Sequence, residues 1–324
     1  MIEQEKLAAA AGQVAALRAE MAKVLVGRGE FVDRLVIGLL CRGHVLIEGV
    51  PGLAKTLAVK TLAGAIRAEF RRVQFTPDLL PADIGGTEIY QPATGTFTVR
   101  RGPVFANILL ADEINRAPSK VQSALLEAMA ERRVTIGGET FDLPEPFLVL
   151  ATQNPIEQEG TYPLPEAQVD RFLFHLALGY PSPGQEREIV RRACLPREPV
   201  VSPVLSGADV LELSALARLV RLDDRLLGYI VALVGATRDP VAAGIAGLAG
   251  KVAYGASPRA AIGLARTARA MALLAGRDYA TPGDIKALAP DVLRHRVLLT
   301  YEAQAGGLSS DAVIQTILET VPVP

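Results

Sequence analysis

The stretch Gly49-Val-Pro-Gly-Leu-Ala-Lys55-Thr56 decides the fold of this 324-residue chain. It follows an apolar run, His44–Ile47, and opens a helical pattern, Lys55–Ala68. A glycine-containing loop between a strand and a helix presents backbone N–H groups at a helix N-terminus, where phosphate groups bind. This context predicts that Lys55 reaches the β/γ oxygens of a phosphate chain and that the Thr56 hydroxyl ligates Mg²⁺. A purely structural glycine turn is the alternative.

The same loop departs from the general phosphate-loop pattern at one position, because Ala54 stands where a glycine is usual. A β-carbon is strained in the left-handed region of backbone conformation. We therefore expect Ala54 to keep a negative φ.

Downstream of the loop, short apolar runs alternate with helical patterns. Most of these runs are continuous rather than alternating, which is typical of parallel strands covered on both faces. The alternation of strands and helices predicts a doubly wound α/β domain. The five predicted strands are His44–Ile47, Arg72–Phe75, Asn107–Ala111, Phe147–Thr152 and Phe172–Leu178.

Two segments interrupt this alternation, and a third marks a domain boundary. Asp78–Pro103 and Arg133–Pro146 contain glycine turn signals, and the second is predicted to form a hairpin that turns at Gly137-Gly138. Around Tyr180–Val204 the composition shifts to Pro, Gly, Arg and Ser. The predicted domains are an α/β core over residues 1–190, a linker over 191–207 and a helical domain, without strands, over 208–324.

Composition excludes several classes of function. The 34 Lys+Arg against 35 Asp+Glu give a net charge of −1, so no overall attraction to nucleic acid or acidic membranes follows. No uncharged stretch approaches the ~18 residues of a membrane-spanning helix. The acidic start, Met1–Lys6, lacks the features of a secretory signal, and two cysteines, Cys41 and Cys194, fit a reducing compartment. We expect a cytoplasmic protein without a membrane span.

Carboxylates and an amide follow two of the predicted strands. Asp112 and Glu113 come after the run Asn107–Ala111, where Asp112 is expected to hold Mg²⁺ and Glu113 to polarise an attacking water. Asn154 comes after Phe147–Thr152 and is expected to fix that water beside the γ-phosphate. Solvated acids at a strand end and a simple Asn-Pro turn are the alternatives.

Two arginines complete the candidate set. Arg171, just before the fifth predicted strand, is expected to supply positive charge to a transition state, and an ion pair with Asp170 or another exposed acid is the alternative. Arg259 lies in the first turn of a predicted helix, after Ser257-Pro258. A cation there opposes the helix dipole, so its presence indicates an anion between the helix end and the guanidinium. Arg116 is a further cation in the sequence near these acids.

Taken in chain order, these residues resemble the AAA+ ATPases, and four stretches narrow the resemblance to the MoxR family. The longest of the four is highly specific, and the similarity extends from about Leu25 to Glu302. The stretches are Gly43–Thr56, Phe75–Pro81, Ala111–Pro118 and Ala151–Phe172.

The resemblance implies an α/β fold: an AAA+ core with a five-stranded parallel sheet flanked by helices, followed by a C-terminal all-helical lid domain. Asn154 matches the first sensor, Arg171 the arginine finger that acts on the neighbouring subunit's nucleotide, and Arg259 the second sensor in the lid. Lys55 and Thr56 match the family's Walker A pair, and Asp112 and Glu113 match its Walker B pair.

Nucleotide and metal contacts are implied in the same way. Thr56 and Asp112 match the Mg²⁺ ligands, Val26 and Gly27 fall where the family contacts adenine, and alanine at position 54 is usual in the family. The full set of implied nucleotide contacts is Val26, Gly27, Gly49, Val50, Pro51, Gly52, Leu53, Ala54, Lys55, Thr56, Leu57 and Arg259.

The resemblance also implies cofactors and partners. ATP and Mg²⁺ are the expected cofactors, and a homo-oligomeric ring, commonly a hexamer, is the expected assembly. The insertions Asp78–Pro103 and Arg133–Pro146 match hairpins of the helix-2-insert group, which usually face the ring or its pore. MoxR proteins resemble chaperones that work with proteins carrying a von Willebrand factor A domain, so we expect such a partner and a client enzyme.

Three other functions stay open at this point. A magnesium-chelatase-like motor subunit is close in family. A helicase-like nucleic-acid motor would need basic or aromatic hairpin tips; Arg100-Arg101 and Arg132-Arg133 are basic, but Trp is absent and aromatic residues are only 5% of the chain. A nucleotide-binding switch that barely hydrolyses would not need Glu113 together with Arg171.

Overall fold

A computed structural model describes residues 2–154, 160–194 and 199–324, and contacts divide the chain into two units. The α/β unit comprises Ala16–Arg171 and Leu176–Leu211, and the helical unit comprises Met1–Ala15, Phe172–His175 and Glu212–Pro324. Residues 155–159 of the family-specific stretch and 195–198 of the predicted linker lie outside the described residues. The domain bounds drawn from the sequence stay a prediction.

Helices and strands alternate along the first part of the chain. Up to the first hairpin the elements are α1 (Gln4–Val24), α2 (Gly29–Leu40), β1 (Val45–Glu48), α3 (Lys55–Ala65), β2 (Phe70–Gln74), α4 (Pro81–Gly85), β3 (Gly86–Gln91) and β4 (Thr96–Arg101). They continue as β5 (Ile108–Asp112), α5 (Ser119–Glu131), β6 (Arg133–Ile136), β7 (Glu139–Asp142), β8 (Leu148–Gln153), α6 (Glu166–Val169), β9 (Phe174–Ala177) and α7 (Pro183–Ala193).

The main sheet has five parallel strands in the order β2-β5-β8-β1-β9, which confirms the predicted fold class. Each of the five predicted strands overlaps one of these strands, with bounds that differ by one or two residues. The central strands β5, β8 and β1 are buried, as expected for continuous apolar runs with helices on both faces. The edge strand β2 is more exposed, which fits the two arginines in its sequence, Phe-Arg-Arg-Val-Gln.

The registers of the sheet bring the carboxyl ends of its strands to one edge. Glu48 at the end of β1 pairs with Gln153 at the end of β8. Gln74 at the end of β2 pairs with Asp112 at the end of β5. The loops that follow these strands therefore leave the sheet at the same edge, which is where ligands bind in open α/β sheets.

Both insertions form antiparallel hairpins, and side chains join one hairpin to the other. The first pairs β3 with β4, and the second pairs β6 with β7. The guanidinium of Arg101 lies over the rings of Phe105 and Phe141, 5.0 and 5.5 Å from their centroids. Glu88 lies so close to Gly137 that a β-carbon there would come within 2.0 Å of its carboxylate. The exposed Glu88 side chain can move aside, so glycine is favoured at this turn mainly because Gly137 has a φ of 60°, in the left-handed region.

The chain after Leu211 is mainly helical, as the sequence predicts. Two predicted helix caps are present: the Ser257 hydroxyl accepts the N–H of Arg259, and the Thr281 hydroxyl accepts the N–H of Asp284. Among the described residues, no helix is both long and apolar enough to span a bilayer. The remaining helices are α8 (Gly207–Leu219), α9 (Asp224–Arg238), α10 (Pro258–Leu274), α11 (Pro282–Leu293), α12 (Tyr301–Ala305) and α13 (Ser310–Thr320).

Two features differ from the sequence expectation. A short antiparallel pair, β10 (Val252–Tyr254) with β11 (Leu298–Leu299), lies in the region expected to hold no strand. Such short strands carry too few residues for a period to be recognised. Helix α7 occupies part of the Pro-rich segment Tyr180–Val204, whose composition predicts a domain boundary. Its Ser182 and Gln185 form a capping box, and Pro183 takes the first helical position, where proline is favoured.

His44, at the entry to β1, is buried as a neutral imidazole. Its Nδ1 accepts the backbone N–H of Val149 at 3.0 Å, and its Nε2 lies 3.1 Å from the carbonyl oxygen of Met129. Because the carbonyl can only accept, Nε2 carries the hydrogen. Burial lowers the pKa of His44 to about 4; the Met129 carbonyl opposes this shift, and the charge of Arg132 adds to it.

We predict that His44→Gln makes the protein less sensitive to acid. The folded-state pKa is about 4 against an ordinary value of 6.5, so the unfolded chain binds the proton first. The stability that depends on neutral His44 is complete above pH 6.5 and falls by about 3 kcal/mol toward pH 4. Urea unfolding at pH 7 and pH 4 should show the wild-type advantage over the variant shrinking by this amount. A constant difference at both pH values would contradict the prediction.

Candidate active site

The loop between β1 and α3 turns sharply before the helix begins at Lys55. Gly52 has a φ of 85°, and Ala54 has a φ of 58° with a ψ of 24°. The expectation that Ala54 keeps a negative φ is therefore wrong. The backbone reverses at this residue so that the helix can begin immediately after it, and the alanine methyl costs about 1–2 kcal/mol in that conformation.

Lys55 points its ammonium group back into this loop. Its Nζ donates a hydrogen bond to the carbonyl oxygen of Gly49 at 2.6 Å. Burial lowers the pKa of Lys55, and the carboxylates of Asp112, Glu113 and Glu48 oppose that shift. The ammonium group is thus held by the loop and lies close enough to the acids at the end of β5 to be stabilised by their charge.

One cavity of about 410 Å³ unites the predicted residues of the loop, the strand ends and the first sensor. Its polar lining comes from three separate segments of the α/β unit that meet at the carboxyl edge of the sheet. Gly49, Val50 and Leu53 belong to the same loop but do not line the cavity. The lining residues are Pro51, Gly52, Ala54, Lys55, Thr56, Leu57, Arg72, Asp112, Glu113 and Asn154.

Thr152 is a buried residue behind this cavity that the sequence analysis did not single out. Its hydroxyl donates to Oδ1 of Asp112 at 2.5 Å and accepts the backbone N–H of Glu113 at 2.9 Å. Glu113 itself has a φ of 55°, a strained conformation for a residue with a side chain. The Thr152 hydroxyl therefore fixes both the carboxylate of Asp112 and the backbone turn at Glu113.

Two side chains of β2 also contact Asp112 and Glu113. In the sequence alone, both are recognisable only as strand residues. Arg72 donates to Oδ2 of Asp112 from Nη2 at 2.6 Å and from Nε at 3.0 Å. Gln74 donates from Nε2 to Oε2 of Glu113 at 2.7 Å. Both lie two residues apart on the strand beside β5, so the pairing of these strands is the signal that could have found them.

Arg116 lies next to Glu113, near the site as its place in the sequence suggested. Its Nη1 is 3.4 Å from Oε2 of Glu113, and both side chains are partly exposed. An ion pair this accessible to solvent contributes roughly 0–1 kcal/mol to stability. Its main effect is to place a positive charge beside an acid that lines the cavity.

Besides Gly49, Val50 and Leu53, four further predicted residues lie apart from this cavity lining. Arg171 lines a different cavity, of about 1190 Å³, and its Nη1 donates to the carbonyl oxygen of Leu126 at 2.8 Å. Arg259 belongs to the helical unit, at the start of α10. The carbonyl oxygen of Gly27, next to Val26, accepts a hydrogen bond from Gln185 at 3.1 Å.

The oxygen donors of the cavity fit Mg²⁺ in the company of phosphate. Thr56 offers a hydroxyl and Asp112 a carboxylate, which are the hard oxygen ligands that Mg²⁺ prefers. Within the described parts of the chain, no group of three or more His, Cys, Asp or Glu side chains could hold a metal ion. A cation at Asp112 would therefore take its other ligands from phosphate oxygens and water, as Mg²⁺ commonly does.

Sequence comparison assigns the chain to a known class. The profile described as "ATPase family associated with various cellular activities (AAA)" matches residues 44–174, and that of the AAA lid domain matches residues 248–317. The class is therefore an AAA ATPase followed by its lid.

Similar proteins narrow the class. The chain is 53% identical to Chaperone MoxR1 of Mycobacterium tuberculosis, over 94% of this chain and 81% of that protein. It is 34% identical to Protein MoxR of Methylorubrum extorquens, over 94% of this chain and 93% of that protein. A crystal structure from Cytophaga hutchinsonii, of a protein classed as an ATPase, is 50% identical with a TM-score of 0.93 and covers 99% of this chain and 97% of its own. This chain belongs to the MoxR family of AAA+ ATPases.

We predict that Thr152→Val lowers the rate of ATP hydrolysis by about tenfold or more, whereas Thr152→Ser keeps most of it. Valine has the shape of threonine but leaves the Glu113 N–H without its acceptor and Asp112 without its donor. A lost buried hydrogen bond costs about 1–3 kcal/mol, which corresponds to about tenfold or more if the transition state depends on it. Steady-state phosphate release measures the rates. Equal rates for the Val and Ser variants would show that the hydroxyl does not matter.

Proposed function

We propose that this protein hydrolyses ATP with Mg²⁺ in a homo-oligomeric ring and uses the free energy to remodel or mature a partner protein. The observation that carries the proposal is the single cavity lined by Lys55, Thr56, Asp112, Glu113 and Asn154. Cation, hydroxyl, two carboxylates and an amide are the groups that phosphoryl transfer to water requires.

The loop and Lys55 bind the triphosphate. Backbone N–H groups around Gly52–Thr56 face the phosphate oxygens, and the ammonium of Lys55 exchanges its bond to the Gly49 carbonyl for the β/γ oxygens. Thr56 and Asp112 hold Mg²⁺. When bound, Mg²⁺ neutralises negative charge on the phosphate oxygens. The remaining nucleotide contacts are the loop from Gly49 to Leu57, with Val26 and Gly27 at the adenine.

Glu113 and Asn154 act on the water that attacks the γ-phosphate. The carboxylate of Glu113 orients the water and polarises its O–H bond, and the amide of Asn154 holds it in line. Gln74 keeps the Glu113 carboxylate directed by donating to Oε2. Arg259 contributes a positive charge from the lid to the γ-phosphate.

Arg171 completes the site from an adjacent subunit. Its place on a separate cavity supports action on a neighbour's nucleotide rather than on its own. An arginine supplied in this way raises the rate of related phosphoryl transfers by a factor of roughly 10³–10⁵. The proposal therefore requires assembly, and we take the assembly to be a ring, commonly a hexamer in the family.

A protein client in the cytoplasm is the proposed substrate of the motor, together with a partner that carries a von Willebrand factor A domain. The chaperone name of the mycobacterial relative supports this role. The first hairpin also presents an exposed aromatic pair, Tyr90 and Phe97, with ring centroids 5.2 Å apart. Exposed aromatic rings are common anchors in contacts between proteins.

We predict opposite defects for two variants of the cavity. Glu113→Gln should bind ATP with Mg²⁺ about as tightly as wild type but hydrolyse it at least about 10²-fold more slowly, because the base is lost. Lys55→Ala should weaken ATP binding itself, because the phosphate charge loses its cation. Calorimetric titration measures binding, and phosphate release measures turnover. Undiminished turnover in Glu113→Gln would remove that residue from the mechanism.

A further inference from the structure

The triplet Arg294-His295-Arg296 follows α11 and holds the chain immediately after Arg171. All three side chains donate to backbone carbonyl groups of the segment Phe172–His175, and these contacts lie inside the helical unit. No motif in the sequence marks this triplet as part of the site. It is charged, yet its second and third members are buried.

His295 contributes one hydrogen bond to this hold. Its Nε2 lies 3.1 Å from the carbonyl oxygen of Phe172 and donates to it, since the carbonyl can only accept. Burial holds the pKa of His295 well below its usual range, and the charges of Arg296 and Arg294 act in the same direction. The imidazole is therefore neutral at physiological pH and keeps a defined hydrogen on Nε2.

Arg296 adds a second donor to the same carbonyl. Its Nη2 donates to the oxygen of Phe172 at 2.7 Å, and its Nη1 lies 3.4 Å from the oxygen of Leu173. Arg294 reaches the carbonyl oxygen of His175, and its Nε is oriented by Asp311 at 2.9 Å. The planar guanidinium fixes direction as well as distance, which the point charge of a lysine does not.

The carbonyl oxygen of Phe172, which lies in the second peptide group after Arg171, is thus held by two buried donors. On the N-terminal side of Phe172, the backbone N–H of Arg171 donates to the carbonyl oxygen of Gln168 at 3.2 Å. The guanidinium of Arg171 donates to the carbonyl oxygen of Leu126. The direction in which the Arg171 side chain leaves the backbone therefore depends on what holds Phe172.

Helix α10, which carries Arg259 in its first turn, packs against the same segment. One turn further along, Gly263 has no side chain. A β-carbon there would lie 3.3 Å from Val292 Cγ1 and 3.5 Å from Leu173 Cδ1. The helix that begins with the second-sensor arginine is therefore in close contact with the segment that follows Arg171.

We propose that His295 and Arg296 are positioning residues for Arg171: by holding the Phe172 carbonyl, the helical unit of one subunit aims that subunit's arginine at its neighbour's nucleotide. This inference rests on the proposed function, in which Arg171 acts in trans. Buried charged groups are costly to retain, and apolar residues in their place are often equally stable or more so. A role in directing the preceding arginine gives these donors a function beyond stability.

Mixed assemblies test this inference. A donor chain, Glu113→Gln, supplies Arg171 but cannot turn over its own nucleotide, and an acceptor chain, Arg171→Ala, supplies an intact cavity but no arginine. Each alone should be nearly inactive, and an equimolar mixture should recover ATP hydrolysis. Adding Arg296→Lys to the donor should lower the recovered rate by about tenfold or more, while adding it to the acceptor should change the rate by less than about twofold.

Arg277→Gln in the donor is the matched control. Arg277 is another partly buried arginine of the helical unit, and it pairs with Asp284 at 2.6 Å. Its loss should disturb that unit without changing the recovered rate.

If Arg296→Lys impairs donor and acceptor equally, or impairs the donor no more than Arg277→Gln does, the positioning role is overturned. If the mixture of single variants recovers nothing, the trans role of Arg171 is wrong and the inference falls with it; an active Glu113→Gln chain alone would instead overturn the proposed mechanism.

A second pair of variants guards against misfolding of the Arg296 chain. His295→Gln in the donor retains an N–H donor, whereas His295→Phe removes it with a similar ring volume. The Gln donor should recover more hydrolysis than the Phe donor, and circular dichroism should show both chains folded. Equal recovery by the two donors would contradict the role of the Phe172 contact.

Discussion

The registers of β1, β8 and β5 constrain everything else in the site, because they bring three strand ends to one edge of the sheet. Parallel pairing leaves no freedom for the loop after β1, the acids after β5 and the amide after β8 to lie anywhere else. Lys55, Asp112 and Asn154 therefore line one cavity although about a hundred residues separate the first from the last. The proposed chemistry depends on this convergence of segments rather than on any one motif.

Strain and its compensation concentrate at the same edge. Ala54 and Glu113 both have left-handed backbone conformations that favour glycine, and such conformations persist only where surrounding contacts hold them. Lys55 binds the carbonyl of Gly49 in the strained loop, and Thr152 accepts the N–H of Glu113. The residues that set the geometry are thus partly different from the residues that perform the proposed reaction.

Continuous apolar runs made the five-stranded sheet predictable, because burial on both faces leaves a clear pattern in the sequence. Motif residues such as Lys55 and Asp112 were predictable for the same reason, since each follows such a run. Thr152 and Arg72 were not, because their roles arise from strand pairing that a single sequence does not reveal. Helix α7 was missed because proline and glycine were interpreted as linker composition, although Ser182 and Pro183 form a regular helix start.

The central claim is that Asp112 and Lys55 hold one metal–triphosphate complex. The most direct test is to measure how ATP affinity depends on Mg²⁺. This dependence can be measured by calorimetric titration of wild type, Asp112→Asn and the control Asp142→Asn, which changes an exposed hairpin acid. The account predicts that Mg²⁺ strengthens ATP binding about tenfold or more in wild type and in the control, and has little effect in Asp112→Asn. An Asp112→Asn protein with the same Mg²⁺ dependence as wild type would contradict the account.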